Sequence, residues 1–170
     1  MGDIFKEQLV HKNKTKKDKI ISGLIILGAI FIILLSISII RNLTLLIILI
    51  LIAGYGAYWF IQRQNIEYEY VFTNGDLDID KIINKSSRKR VLSTSVKNFE
   101  IMAHVEDKNY EHELSNFEKI LDFSSGEVKS NTYAALFMYE NQKVKMIFEP
   151  NEEILKGILN YIPRKLHIKK

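Results

Sequence analysis

The chain has 170 residues and no cysteine. That excludes a disulfide framework and thiolate metal ligands, and it suits a domain facing reducing cytosol. Glycine never clusters into a phosphate-cradling loop, and Ser124-Ser125-Gly126 lacks the flanking pattern of a nucleophile elbow. The four histidines, His11, His104, His112 and His167, are scattered, and none has a partner at the i+4 spacing of a helical zinc site, so they are expected at the surface. These absences predict no catalytic residue, no cofactor and no metal, and therefore no enzyme. Charge is missing over the longest stretch of all, because Arg41 is the one charged residue between Ile20 and Ile61.

What fills that stretch is two apolar runs, Ile20 to Ile40 and Leu43 to Ile61, separated by Arg41-Asn42. At the helical rise they reach about 31 and 28 Å, close to the ~30 Å hydrocarbon core of a bilayer. The fold class expected is a membrane protein with a two-helix transmembrane hairpin followed by a small α+β domain. The parts are a basic N-terminal segment (1–19), a first span (20–40), a second span (43–61) and one domain (64–170). A signal peptide is disfavoured, since the first run is long for one and no small-residue cleavage site follows it.

The net charge of +4 is unevenly placed. Residues 1–19 hold six Lys against three acids, Arg41 and Arg63 flank the second span, and residues 64–170 hold sixteen basic against seventeen acidic residues. The excess lies beside the membrane, which disfavours a nucleic-acid partner and favours anionic lipid headgroups. Lys12, Lys14, Lys16, Lys17 and Lys19 precede the first span while the turn offers Arg41, so the positive-inside rule predicts a multi-pass protein of the cell membrane, in a bacterium the inner membrane, with both termini cytoplasmic. Membrane-interface residues are expected at Lys14, Lys16, Lys17, Lys19, Tyr55, Tyr58, Trp59 and Arg63. Within the spans no carboxylate, Lys or His provides an ion path. Gly28, Ala29, Ala53 and Gly54 are expected to line a close helix contact, with Ala29 level with Gly54. Ahead of the basic segment, Asp3 to Val10 places Phe5 and Leu9 four apart, the pattern of a short helix lying on the inner leaflet.

In the domain, Ile66, Tyr68, Tyr70 and Phe72 alternate as in a half-buried strand, and Asn74-Gly75 turns the chain into a second. A turn at residues 84–87 leads to a third strand over 88–96. The pattern weakens over 97–131, with a short helix expected around 114–121. Residues 133–139 and 143–148 form a second hairpin about Asn141-Gln142. Asn151 then caps a helix with Glu152 and Glu153 in its first turn, apolar at Ile154, Leu155, Ile158, Leu159 and Ile162, and stopped by Pro163.

A short sheet with a helix laid on its apolar opening is similar to pleckstrin-homology-like (PH-like) domains, although five legible strands are fewer than such domains usually carry. The run NIEYEYVFTNGDLDIDKIINKSSRKRVLSTSVKNFE (65–100), with DFSSG (122–126), FEPNEEILKGILNYIPR (148–164) and the GYGAYW exit of the second span, resembles a domain-of-unknown-function family of small two-span membrane proteins from Gram-positive anaerobes. The resemblance implies the architecture and no activity.

Two charged runs remain. Asp76-Leu77-Asp78-Ile79-Asp80 begins like a calcium loop, but Lys81 stands where the loop needs Gly, and a strand with one carboxylate face fits better. Arg88-Lys89-Arg90 is expected to pair with those carboxylates, and is the candidate for contact with lipid or a partner. The function these features support is a non-enzymatic membrane protein presenting a PH-like cytoplasmic module for protein interaction or self-assembly; the alternative is a regulatory module that reads anionic headgroups.

Overall fold

The computed structural model describes residues 4–168. Asp3, where the expected N-terminal helix begins, lies outside the described residues, as do the first three residues of the segment 1–19 and the last two of the domain 64–170. The chain forms two compact units.

One unit takes residues 14–66 and 83–86. Strand β1 (Phe5–His11), which belongs to the other unit, precedes helix α1 (Lys16–Ile39). Thr15 starts α1 with a capping box: its Oγ1 accepts from Asp18 N–H at 3.2 Å, and Asp18 Oδ2 accepts from Thr15 N–H at 2.8 Å. Helix α2 (Leu43–Gln62) starts just past Arg41, because Asn42 Oδ1 accepts from the N–H groups of Thr44 and Leu45 and lets the chain re-enter a helix at once. Both helices are long and apolar enough to cross a membrane, and neither has a fully buried residue, so their side chains are left for lipid.

The half-buried positions of α1 include Ser22, Ile25, Ala29, Ile33 and Ser36, and those of α2 include Leu46, Ile50, Ala53, Ala57 and Ile61, so each helix turns one stripe of period 3.6 to the other. Ser22 Oγ donates to Gln64 Oε1 at 2.9 Å, which ties the start of α1 to the residues just past α2. The expected contact at Gly28 and Gly54 is therefore corrected: both are exposed, and a Cβ built on either meets nothing within 4 Å. Ala29 and Ala53 do lie on the shared stripe. The two glycines each stand one position off that stripe, beside Ala29 and Ala53.

The other unit is the sheet-rich domain. A four-stranded sheet runs in the order β1-β2-β3-β4, with β2 at Ile66–Thr73, β3 at Asp76–Ile83 and β4 at Ser87–Ser95. Asn74 (φ 50°) and Gly75 (φ 97°) make the left-handed turn of the β2–β3 hairpin. The second sheet is built from β5 (Ile101–His104), β6 (Lys119–Asp122), β7 (Tyr133–Tyr139), β8 (Gln142–Phe148) and β9 (Leu166–His167), in the order β6-β8-β7-β5-β9. Helix α3 (Glu152–Tyr161) is capped by Asn151, whose Oδ1 accepts from Ile154 N–H at 2.9 Å, and it ends before Pro163. Tyr70, Phe72, Leu77, Ile79 and Leu92 of the first sheet and Met102, Phe137, Met146 and Phe148 of the second fill the core with Ile154, Ile158 and Ile162.

Several expectations are corrected here. Residues 5–11 are a strand, paired antiparallel with β2 from Phe5↔Thr73 to His11↔Glu67, so the domain does not begin at residue 64. The expected helix at 114–121 is a 3-10 turn at Glu113–Ser115 followed by β6. The β7–β8 turn sits on Glu140 and Asn141, both at positive φ, one residue earlier than expected. The stretch 97–131 is ordered by a smaller core on the outer face of the second sheet, where Leu114, Tyr110 and Phe117 cover Ile101, Ala103, Ala134 and Leu136.

Candidate functional site

The outer face of the first sheet carries a lattice of charges. Arg90 Nη1 meets Asp78 Oδ2 at 2.6 Å and its Nε meets Asp80 Oδ1 at 2.7 Å, while Arg88 Nη2 meets Glu69 Oε1 at 2.8 Å. The hydrogen bond to Asp80, opposed by partial desolvation, raises the Arg90 guanidinium above its ordinary range. Next to them His11 Nδ1 lies 3.0 Å from Glu67 Oε1 across the β1–β2 pair. Asp78 and Asp80 thus serve Arg90, and Asp78 also accepts from Ser93 Oγ of β4 at 2.6 Å. Lys89 is exposed and has no ion pair among the described residues. Among the described residues no group of three or more His, Asp or Glu could hold a metal ion.

A second charged region gathers at the end of the helical hairpin where the chain enters and leaves it. Lys14, Lys16, Lys17 and Lys19 surround the start of α1. Arg63, just past α2, lies over the ring of Trp59 at 3.8 Å, a cation–π contact. Tyr55 and Tyr58 stand exposed on the preceding turns. The turn between β3 and β4 joins them: Asn84 N–H donates to Asn65 O at 2.8 Å, and Asn84 and Lys85 both take positive φ, with Lys85 exposed at the tip. Lys85 is 22 residues from Arg63 in sequence, and nothing in the local pattern signals its place.

The third cluster is buried and polar. Glu149, 2% exposed, accepts on Oε1 from Ser125 N–H at 2.9 Å and Ser125 Oγ at 2.6 Å, and on Oε2 from Lys129 Nζ at 3.1 Å. Gln8 of β1 inserts between the sheets, its Nε2 donating to Glu149 O at 2.8 Å and its Oε1 accepting from Asn151 N–H at 2.6 Å. Tyr70 Oη donates to Phe123 O at 2.6 Å and accepts from Glu149 N–H at 3.3 Å; burial pushes this hydroxyl well above its ordinary range. Each partner here is a backbone group or a side chain that needs one, which is the chemistry of a structural joint.

The residues weighed for catalysis do not converge. Ser124 Oγ donates to Asp122 Oδ1 at 2.7 Å with no histidine beside it. His104, expected at the surface, is buried instead: its Nδ1 accepts from Glu106 N–H at 3.2 Å, which leaves Nε2 to donate to Lys129 O at 2.8 Å. His167 stacks on Tyr110 at 3.9 Å between ring centroids. Sequence reasoning missed Gln8, Tyr70 and Glu149; a Glu directly after the apolar Phe148 and ahead of a helix cap was the one available signal.

Two packed sheets closed by a C-terminal helix, on a chain with two membrane-spanning helices, define a membrane protein carrying a PH-like domain. The chain belongs to the family described as Bacterial PH-like domain (DUF6106), which covers residues 2–168. No curated protein and no solved structure matches it.

Proposed function

We propose that this protein is a non-enzymatic membrane-anchored binding module, held at the cytoplasmic leaflet by its hairpin to engage a protein partner or a second copy of itself. One observation carries this reading: β1, ahead of the spans, pairs along its whole length with β2, behind them. Two strands in one sheet occupy one side of a membrane, so both ends of the hairpin emerge together, and the lysines before α1 make that side the cytoplasm. The connections between the strands and the helices are short, residues 12–15 on one side and 63–65 on the other. One edge of its first sheet is β4, nine residues long and mostly exposed, and an unpaired edge is a ready template for another chain.

The test is a photo-crosslinking amino acid placed at Lys89 of the full chain in native membranes. An adduct carrying a second protein, or a second copy, is the expected result. Absence of any adduct from Lys89, and likewise from Ser93 and from the exposed Phe5, would overturn the binding-module reading.

A further inference from the structure

The cations at the exit of the hairpin share a unit that holds almost no acid. Elsewhere Lys6, Lys129, Lys143, Lys156, Arg88 and Arg90 each pair with an acid at 3.3 Å or less. Among the described residues Lys14, Lys16, Lys17, Lys19 and Lys85 have no ion pair, and Arg63 has only the face of Trp59. The unit they belong to holds a single acid, Asp18, and its carboxylate is turned back onto Thr15 in the capping box. Six positive charges are thus collected where two chain segments enter the bilayer, and the positive end of α1 adds to them. In water such a cluster is unfavourable to itself. Against a leaflet containing anionic lipid it becomes a counter-surface for phosphate.

We propose that these six cations form a collar that gathers anionic phospholipid headgroups around the hairpin, with Lys85, carried there by the β3–β4 turn, as a member. The assignment moves lipid contact away from Arg88 and Arg90, whose guanidinium groups already serve Glu69, Asp78 and Asp80. Lysine ammonium groups act as point charges without the fork geometry of arginine, so the collar reads charge and not headgroup shape. It rests on the membrane anchorage alone, and its failure would leave the crosslinking result at Lys89 unaffected.

The chain provides its own probe, because Trp59 is its one tryptophan and lies beside Arg63. The full chain is reconstituted in mixed phosphatidylglycerol–phosphatidylcholine vesicles with brominated acyl chains on one lipid or the other. Bromine on phosphatidylglycerol is expected to quench Trp59 severalfold more than bromine on phosphatidylcholine at the same mole fraction. The difference should shrink in about 1 M salt, where the Debye length falls to about 3 Å. Lys85→Gln is expected to reduce the preference, the combined replacement of Lys14, Lys16, Lys17, Lys19 and Lys85 by Gln to abolish it, and Lys156→Gln, at an exposed site elsewhere, to leave it intact. Equal quenching by the two lipids in the unmodified chain would overturn the collar. A preference untouched by Lys85→Gln, yet erased by the four N-terminal replacements, would overturn the part given to the β3–β4 turn.

Discussion

At the scale of single residues, close approach decides the sharpest cases. Gly75 sits at φ 97°, and a Cβ there would lie 2.9 Å from the Tyr161 ring. Gly75→Val therefore combines backbone strain with a clash, and about 1 to 3 kcal/mol of stability is expected to be lost, read by thermal unfolding of the full chain in detergent. Tyr70 makes a prediction in pH. Its hydroxyl is held neutral by burial, so its folded pKa is raised, while in the unfolded chain it ionises near 10. Stability is fully present below about pH 10 and falls above it, because there only the unfolded chain releases the proton. Tyr70→Phe leaves Phe123 O and Glu149 N–H short of a partner, at a cost of about 1 to 3 kcal/mol at neutral pH. The variant should, however, lose stability less steeply between about pH 10 and 12. A variant curve as steep as the original would refute the role given to Tyr70.

At the scale of elements, β1 shows what the sequence conceals. Its apolar Phe5 and Leu9 face outward and its polar Gln8 faces inward, the reverse of a half-buried strand, so periodicity points to a surface helix. Only the acceptors on Glu149 and the donor on Asn151 explain why a glutamine belongs inside, and those lie more than 140 residues away. Where side chain and burial agree, as at Tyr68, Tyr70 and Phe72, in the Asn74-Gly75 turn and in α3, the pattern is legible and the structure follows it, whereas Glu67 and Glu69, on the face expected to be open, are buried as well. Arg90 was legible as a partner of the β3 carboxylates because a short hairpin leaves few other places for it; Arg88, expected there too, reaches past β3 to Glu69 of β2, and Lys85 at the exit of α2 was not legible, since that contact depends on the sheet as a whole. Gln8→Ala should lower the unfolding temperature and loosen β1, seen as faster amide exchange over residues 5–11. In the helices, a cysteine pair at Ala29 and Ala53 should cross-link within one chain, whereas a pair at Gly28 and Gly54 should not, and Gly54→Leu should be tolerated because that position faces lipid.

At the scale of the whole molecule, the hairpin is an insertion between two neighbouring strands. A reporter active only outside the cytoplasm is expected to be silent when fused after Lys170 and active when the chain is cut and fused after Asn42; activity of the full-length fusion would reverse the assignment of sides. The same insertion fixes an order of events during synthesis. β1 leaves the ribosome before either helix, and β2 leaves after both, so the first sheet cannot close until both helices have been made. A chain in which only one helix crosses leaves β1 and β2 on opposite faces of the bilayer. Tyr70 and Phe72, both fully buried in the finished sheet, would then lack their cover. Completion of the domain thus excludes a chain in which one helix alone has crossed.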